Sequence, residues 1–198
     1  MTPELVVDKD AFCSLSRECE TIFDIEKRLP DFVFRRPFDS YCAFEYAYVY
    51  RAEFGLFLSK LAALFEDESI HYMLLDPPSG DSYFRRTAFW GGVSFTPSRS
   101  VAERYVPVMH REGNVRRLLT SANVGVFWGS SLKWGIHCDR ISWEMAVVAV
   151  RKDIDVPAIS GFRCMDAEAL SNYMKSLYHW ELSTASEFMT RFLVNYPI

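Results

Sequence analysis

No apolar run in this sequence approaches the roughly 20 residues that a membrane-spanning helix requires; Met145 to Val150 is typical of its longest. The first ten residues carry neither the basic n-region nor the apolar h-region of a secretory signal, so the expected location is the cytoplasm. Cys13, Cys19, Cys42, Cys138 and Cys164 are odd in number, widely spaced and without a CxxC pair. That excludes a disulfide framework and a zinc knuckle, and the thiols read as reduced, buried small residues. The phosphate-cradling GxGxxG and GxxxxGK[ST] patterns, the HExxH zinc motif and the GxSxG nucleophile turn are all missing. His71, His110, His137 and His179 are scattered. The expectation is a protein with no catalytic residues, no metal and no cofactor. A basic excess is lacking too: the formal charge is -4 and the pI about 5.6, which argues against a general nucleic-acid binder.

What is present is ordinary globular chemistry with one outlier. Hydrophobic residues make up 49% of the 198 and charged residues 24%, enough to exclude a disordered or low-complexity chain. A chain of this size buries about 70% of its unfolded surface and fits a single domain spanning residues 1–198. The outlier is the aromatic share, 16%.

Charge is unevenly distributed. Residues 1–84 hold 8 Lys or Arg against 16 Asp or Glu, residues 85–117 hold 7 Arg against 2 Glu, and the remainder is nearly balanced. Arginine outnumbers lysine by 16 to 6, which suits bidentate pairing with carboxylate or phosphate. Internal pairing with the acidic first part is the simplest reading of the arginine-rich segment. An anion site built from Arg85, Arg86, Arg116 and Arg117 is the alternative.

Hydrophobic periodicity gives the element order. A helical stripe runs from Phe12 to Ile25 and is ended by Pro30. A second helix carries Phe54, Phe57, Leu58, Leu61, Leu64 and Phe65, and the acidic triplet Glu66, Asp67, Glu68 after it reads as a loop because negative charge opposes the dipole there. Ile70 to Leu75 and Tyr83 to Phe95 read as strands around the turn at residues 76–81. Ser100 and Glu103 form a capping box before a short helix limited by Pro107. Val124 to Trp128, Leu132 to Cys138 and Trp143 to Val150 form a meander, the last strand apolar on both faces and so central. Asp166 and then Thr184 with Glu187 start two final helices. The expected fold is α+β: an antiparallel sheet of about four to six strands with helices packed on one face and helices at both termini.

Two clusters stand out as candidate sites. His137 and Asp139 share a strand face, with Arg140 and Glu144 beyond them, so a base-plus-carboxylate site is geometrically possible; ion pairs from Arg140 to Asp139 or Glu144 explain the same residues more simply. Trp90, Trp128, Trp134 and Trp143 lie in the strand-rich half. They read either as sheet core or as an aromatic binding face, since Trp, Tyr and Arg dominate interface hot spots.

The segment Gly129-Ser-Ser-Leu-Lys-Trp134-Gly-Ile-His-Cys-Asp139-Arg140, followed by Trp143, Glu144 and the apolar strand Met145 to Ala149, resembles bacterial immunity proteins of polymorphic or contact-delivered toxin systems. The resemblance covers residues 120–150 and extends loosely from Phe54 to Tyr83. It implies a cytoplasmic, non-catalytic protein that binds a cognate protein toxin and occludes its active site. The expected partner-binding residues are Glu66, Asp67, Glu68, Trp90, Trp128, Trp134, Asp139 and Arg140. If the toxin is a nuclease, acidic residues suit its phosphate-binding cleft. Two alternatives follow from the residues themselves: an enzyme acting on a phosphorylated or nucleotide substrate through the arginines, and a single-stranded nucleic-acid module using arginine and aromatic stacking.

Overall fold

The computed structural model describes residues 4–78, 80–97, 101–109, 118, 122–151, 156, 162–178 and 182–198. In chain order the elements are β1 (Glu4–Leu5), α1 (Lys9–Ile22), β2 (Ser40–Glu45), a 3-10 turn (Tyr46–Tyr50), α2 (Ala52–Phe65), β3 (Ile70–Asp76), α3 (Asp81–Thr87), β4 (Gly92–Phe95), α4 (Val101–Met109), β5 (Val124–Gly129), β6 (Trp134–Asp139), β7 (Met145–Val150), α5 (Ala167–Leu177) and α6 (Leu182–Asn195). The fold is α+β. One antiparallel sheet of seven strands, the first only two residues long, runs in the order β1-β4-β3-β5-β6-β7-β2.

Helices cover both faces of the sheet, not one as expected. On the first face Phe44, Tyr72, Phe127, Trp134, Ile136 and Val148 pack with Phe54, Phe57, Leu58 and Leu61 of α2 and Tyr105 of α4. On the second, Met73, Val126, Trp128, Val147 and Ala149 pack with Leu15, Cys19 and Ile22 of α1, Leu170 and Met174 of α5, and Phe188 and Phe192 of α6. Strand alternation makes this possible, because β5, β6 and β7 are buried at every position and need a partner layer on each side.

Local chemistry accounts for several boundaries. Asp8 adopts an extended conformation and its Oδ1 accepts from the Ala11 amide at 2.7 Å, so α1 begins earlier than the apolar stripe alone implies. It also ends earlier, at Ile22 rather than before Pro30: Phe23 is extended and bridges to Phe34, and both rings are buried on the second face. Burial of two aromatic rings, worth roughly 2 kcal/mol or more each, outweighs continuing the helix. The stretch Tyr83 to Phe95, expected to be a strand, splits into α3 and β4. Arg85 and Arg86 sit in the last turn of α3, where positive charge complements the helix dipole, and only Tyr83 of the helix is buried. The expected cap at Ser100 lies outside the described residues.

The cysteine expectation needs correcting as well. Cys42 of β2 and Cys164 form a disulfide with a Cα separation of 5.7 Å. Beside it Met165 donates to the Ala43 carbonyl at 2.7 Å, so the outer edge of β2 is partly covered. Sequence spacing hides this pair because its members lie 122 residues apart. Cys19 and Cys138 are buried thiols, as expected, and Cys13 is an exposed one.

Candidate functional site

The acidic triplet after α2 divides in two. Glu66 caps the helix in the left-handed region at φ 57°, and Glu66 and Glu68 are exposed. Asp67 turns inward: its Oδ1 accepts from the Ser131 amide at 2.5 Å and its Oδ2 from the Trp134 indole at 2.7 Å. This carboxylate therefore holds the β5–β6 turn to the end of α2. A side chain at Gly129 would place its Cβ 2.1 Å from Asp67 Oδ2, so glycine is required for the close approach. Ser130 adds a second tie, its hydroxyl accepting from the amides of Glu68 and Ser69.

The other residues expected at a partner surface are largely structural. Trp128 and Trp134 are fully buried. Trp90 is 6% exposed and stacks between Phe12 and Phe84 at ring separations of 5.5 and 4.6 Å, with Lys9 over its ring. Asp139 is buried and its Oδ1 accepts from the amides of Ser142 and Trp143, closing the β6–β7 turn. Arg140 makes neither expected ion pair; its Nε donates to the Ala122 carbonyl at 2.7 Å and its Nη2 reaches Asn123 Oδ1 at 3.4 Å. These side chains fill the core and fasten loops, which removes them from a docking surface. Of the anion-site alternative, Arg85 donates to the Asp81 carbonyl and Arg86 lies over the Tyr83 ring, while Arg116 and Arg117 lie outside the described residues.

What remains exposed beside Glu66 and Glu68 is the outer face of α2. Glu53, Leu56, Lys60, Ala63 and Leu64 are spaced to share one side of the helix, and all are exposed. Leu56 is 43% and Leu64 38% exposed. Two leucines and an alanine thus form an apolar strip about 12 Å long, with Lys60 between the leucines, Glu53 at one end and Glu66 and Glu68 at the other.

A polar cluster is held beneath α1 on the second face. His71 of β3 lies opposite Ser94 of β4 and Trp128 of β5. Its Nδ1 is 2.9 Å from Ser94 Oγ and its Nε2 is 2.8 Å from Ser69 Oγ. Glu18 of α1 places Oε1 3.8 Å from the same Nε2, and that oxygen accepts from the Trp128 indole at 2.7 Å. Burial holds the His71 ring below the ordinary histidine pKa, opposed by the negative charges of Glu18 and Asp67. Of this cluster only Trp128 is an expected site residue, although the alternation of His71 with the buried Tyr72 already puts the imidazole on the opposite face from the α2 core.

His137 and Asp139 do share the second face, as alternation predicts, but deep inside it. Both ring nitrogens of His137 and Oδ2 of Asp139 are buried without a hydrogen-bond partner. Desolvation, helped by the Arg28 charge, lowers the His137 pKa to about 3, so the ring is neutral at pH 7. Desolvation raises Asp139 above the usual carboxylate value against the pull of the Ser142 and Trp143 amides. Glu144 is exposed at the start of β7 and stands apart from them. Among the described residues no group of three or more His, Cys, Asp or Glu is placed to hold a metal ion, and no helix is long and apolar enough to cross a membrane. The chain matches no protein-family model, no curated protein and no solved structure.

Proposed function

We propose that this chain is a cytoplasmic immunity protein that binds a cognate protein toxin and blocks its active site. The observation that carries this reading is the outer face of α2, where the exposed Leu56, Ala63 and Leu64 supply apolar contact beside Lys60, and Glu53, Glu66 and Glu68 at the two ends give the face a net negative charge. An apolar centre with a charged rim is the general anatomy of a protein interface. Carboxylates at the rim suit a basic partner, such as the phosphate-binding cleft of a nuclease, and steer its approach. The resemblance of residues 120–150 to immunity proteins supports the same reading.

Capture from the native host tests it. The tagged chain is expected to retain one stoichiometric partner. Leu56→Arg with Leu64→Arg should lose it, while Glu66→Arg with Glu68→Arg should slow association and weaken its salt dependence. All four side chains are exposed, so melting temperatures should stay near that of the parent. Retention of the partner by both double variants, or capture of none, overturns the assignment. The fold brings Cys42 and Cys164 to bridging distance and the compartment decides whether the bridge persists, so counting free thiols in the protein taken from its host tests the location: a reduced pair is expected in the cytoplasm, and a fully bridged pair overturns that location.

A further inference from the structure

The cluster beneath α1 has the parts of an activated serine, and this goes beyond the interaction reading without depending on it. Nucleophilic catalysis by serine needs a neutral base within hydrogen-bond reach of the hydroxyl and a third group that orients that base. His71 lies within reach of two hydroxyls, Ser94 on Nδ1 at 2.9 Å and Ser69 on Nε2 at 2.8 Å. Glu18 decides between them. Its carboxylate lies 3.8 Å from Nε2, and a negative charge on that side favours the tautomer with the proton on Nε2. Nδ1 is then the lone-pair nitrogen, and it faces Ser94. Ser69 accepts from Nε2–H instead of donating to it. The Trp128 indole holds Glu18 Oε1 at 2.7 Å, and the Trp128 ring lies 5.4 Å from the imidazole, so carboxylate and base are both positioned from β5. Ser94, Ser69 and His71 are partly exposed, which leaves the hydroxyl open to a small electrophile.

We infer that Ser94 is a nucleophilic serine activated by His71, with Glu18 as the positioning residue, and that its substrates are activated carboxylic esters. Ser94 Oγ forms a bond to the carbonyl carbon while its proton passes to His71 Nδ1. The carbon–oxygen bond to the leaving group breaks, the proton leaves with the departing alcohol, and an acyl-serine remains. Water then attacks the acyl carbon, gives its proton through the same nitrogen back to Ser94 Oγ, and releases the carboxylic acid.

The test is labelling of the full chain with a fluorophosphonate probe, in which Oγ displaces fluoride from phosphorus, followed by peptide mapping. One adduct per chain at Ser94 is expected, absent in Ser94→Ala, at least tenfold slower in His71→Gln and retained in Ser69→Ala. Glu18→Gln should slow labelling severalfold and displace its pH profile, which a merely structural carboxylate would not do. Labelling of the parent chain should fall as acid protonates His71, a readout independent of whether any variant folds. No adduct, an adduct at Ser69, or a rate at Ser94 that ignores both pH and His71→Gln overturns the proposal. p-Nitrophenyl acetate hydrolysis with a pre-steady-state burst, lost in Ser94→Ala, is the expected kinetic counterpart.

Discussion

The two faces of the sheet solve the same packing problem with different chemistry. Against α2 and α4 the layer is built from rings and aliphatic chains, and its buried polar atoms are mostly phenols: Tyr46, Tyr72 and Tyr105 are held far above the ordinary tyrosine pKa by desolvation and stay neutral. Against α1, α5 and α6 the layer holds two imidazoles and a carboxyl whose protonation burial displaces: His71 and His137 are pushed down, His137 to about 3, and Asp139 is pushed up. A neutral phenol inside a core costs no more at pH 5 than at pH 8, whereas a neutral imidazole becomes progressively costlier as protons become available to the unfolded chain. The first face is therefore expected to ignore acid and the second to respond to it.

The largest expected effect breaks that contrast at its source. His137 has a folded pKa of about 3 against 6.5 in the unfolded chain, so the unfolded state binds the extra proton. Its stabilising contribution is whole above pH 6.5 and is lost as pH falls toward 3, at about 1.4 kcal/mol per pH unit. Asp139 has the opposite sign: its raised pKa gives stability that is full below the ordinary carboxylate value and lost as pH rises through the folded one. Urea midpoints measured from pH 7 to pH 4 should fall, and His137→Leu should flatten the curve. Next in size, Asp67→Ala removes the acceptor for the Trp134 indole and the Ser131 amide and should cost about 3 kcal/mol by chemical denaturation. Smaller and of reversed sign, Tyr72→Phe deletes a hydroxyl that is buried without a partner and should leave stability unchanged or raise it by up to about 1 kcal/mol. Smallest, Glu18→Gln keeps an acceptor for Trp128 and should shift the thermal midpoint by less than that of Tyr72→Phe, which isolates its effect on His71.

How far the fold could be read in advance follows from where each signal is local. The α2 stripe, the apolar β7 run and the Asp166 cap are carried by neighbouring residues, and the structure has them within a residue or two. Coverage of both faces was implicit in a strand apolar on both sides, yet the helices that supply the second layer come from the two ends of the chain, and no short window contains that fact. The end of α1 and the division of Tyr83 to Phe95 depend on what Phe23, Tyr83 and Trp90 pack against. The candidate partner residues failed for a related reason. Large aromatics and carboxylates near turns suggest an interface, but Asp67 and Asp139 each turn Oδ1 to backbone amides of a turn, and Trp128 and Trp134 are the core that those turns enclose. Residue type alone does not say whether an indole faces a partner or the interior. Glu66 and Glu68 kept their exposure because the left-handed cap at Glu66 turns the chain between them and Asp67.

The bridge between Cys42 and Cys164 has a mechanical meaning. It ties off a loop that contains β3 to β7 and most of β2, while α1, α5 and α6 lie outside. A molecule stretched by its two ends can shed those helices, and with them the cover of the second face, but the enclosed strands carry no tension while the bridge holds. Reduction would release about 400 Å of further extension from the 122 enclosed residue steps, so a single thiol–disulfide exchange separates a tether that yields early from one that yields completely.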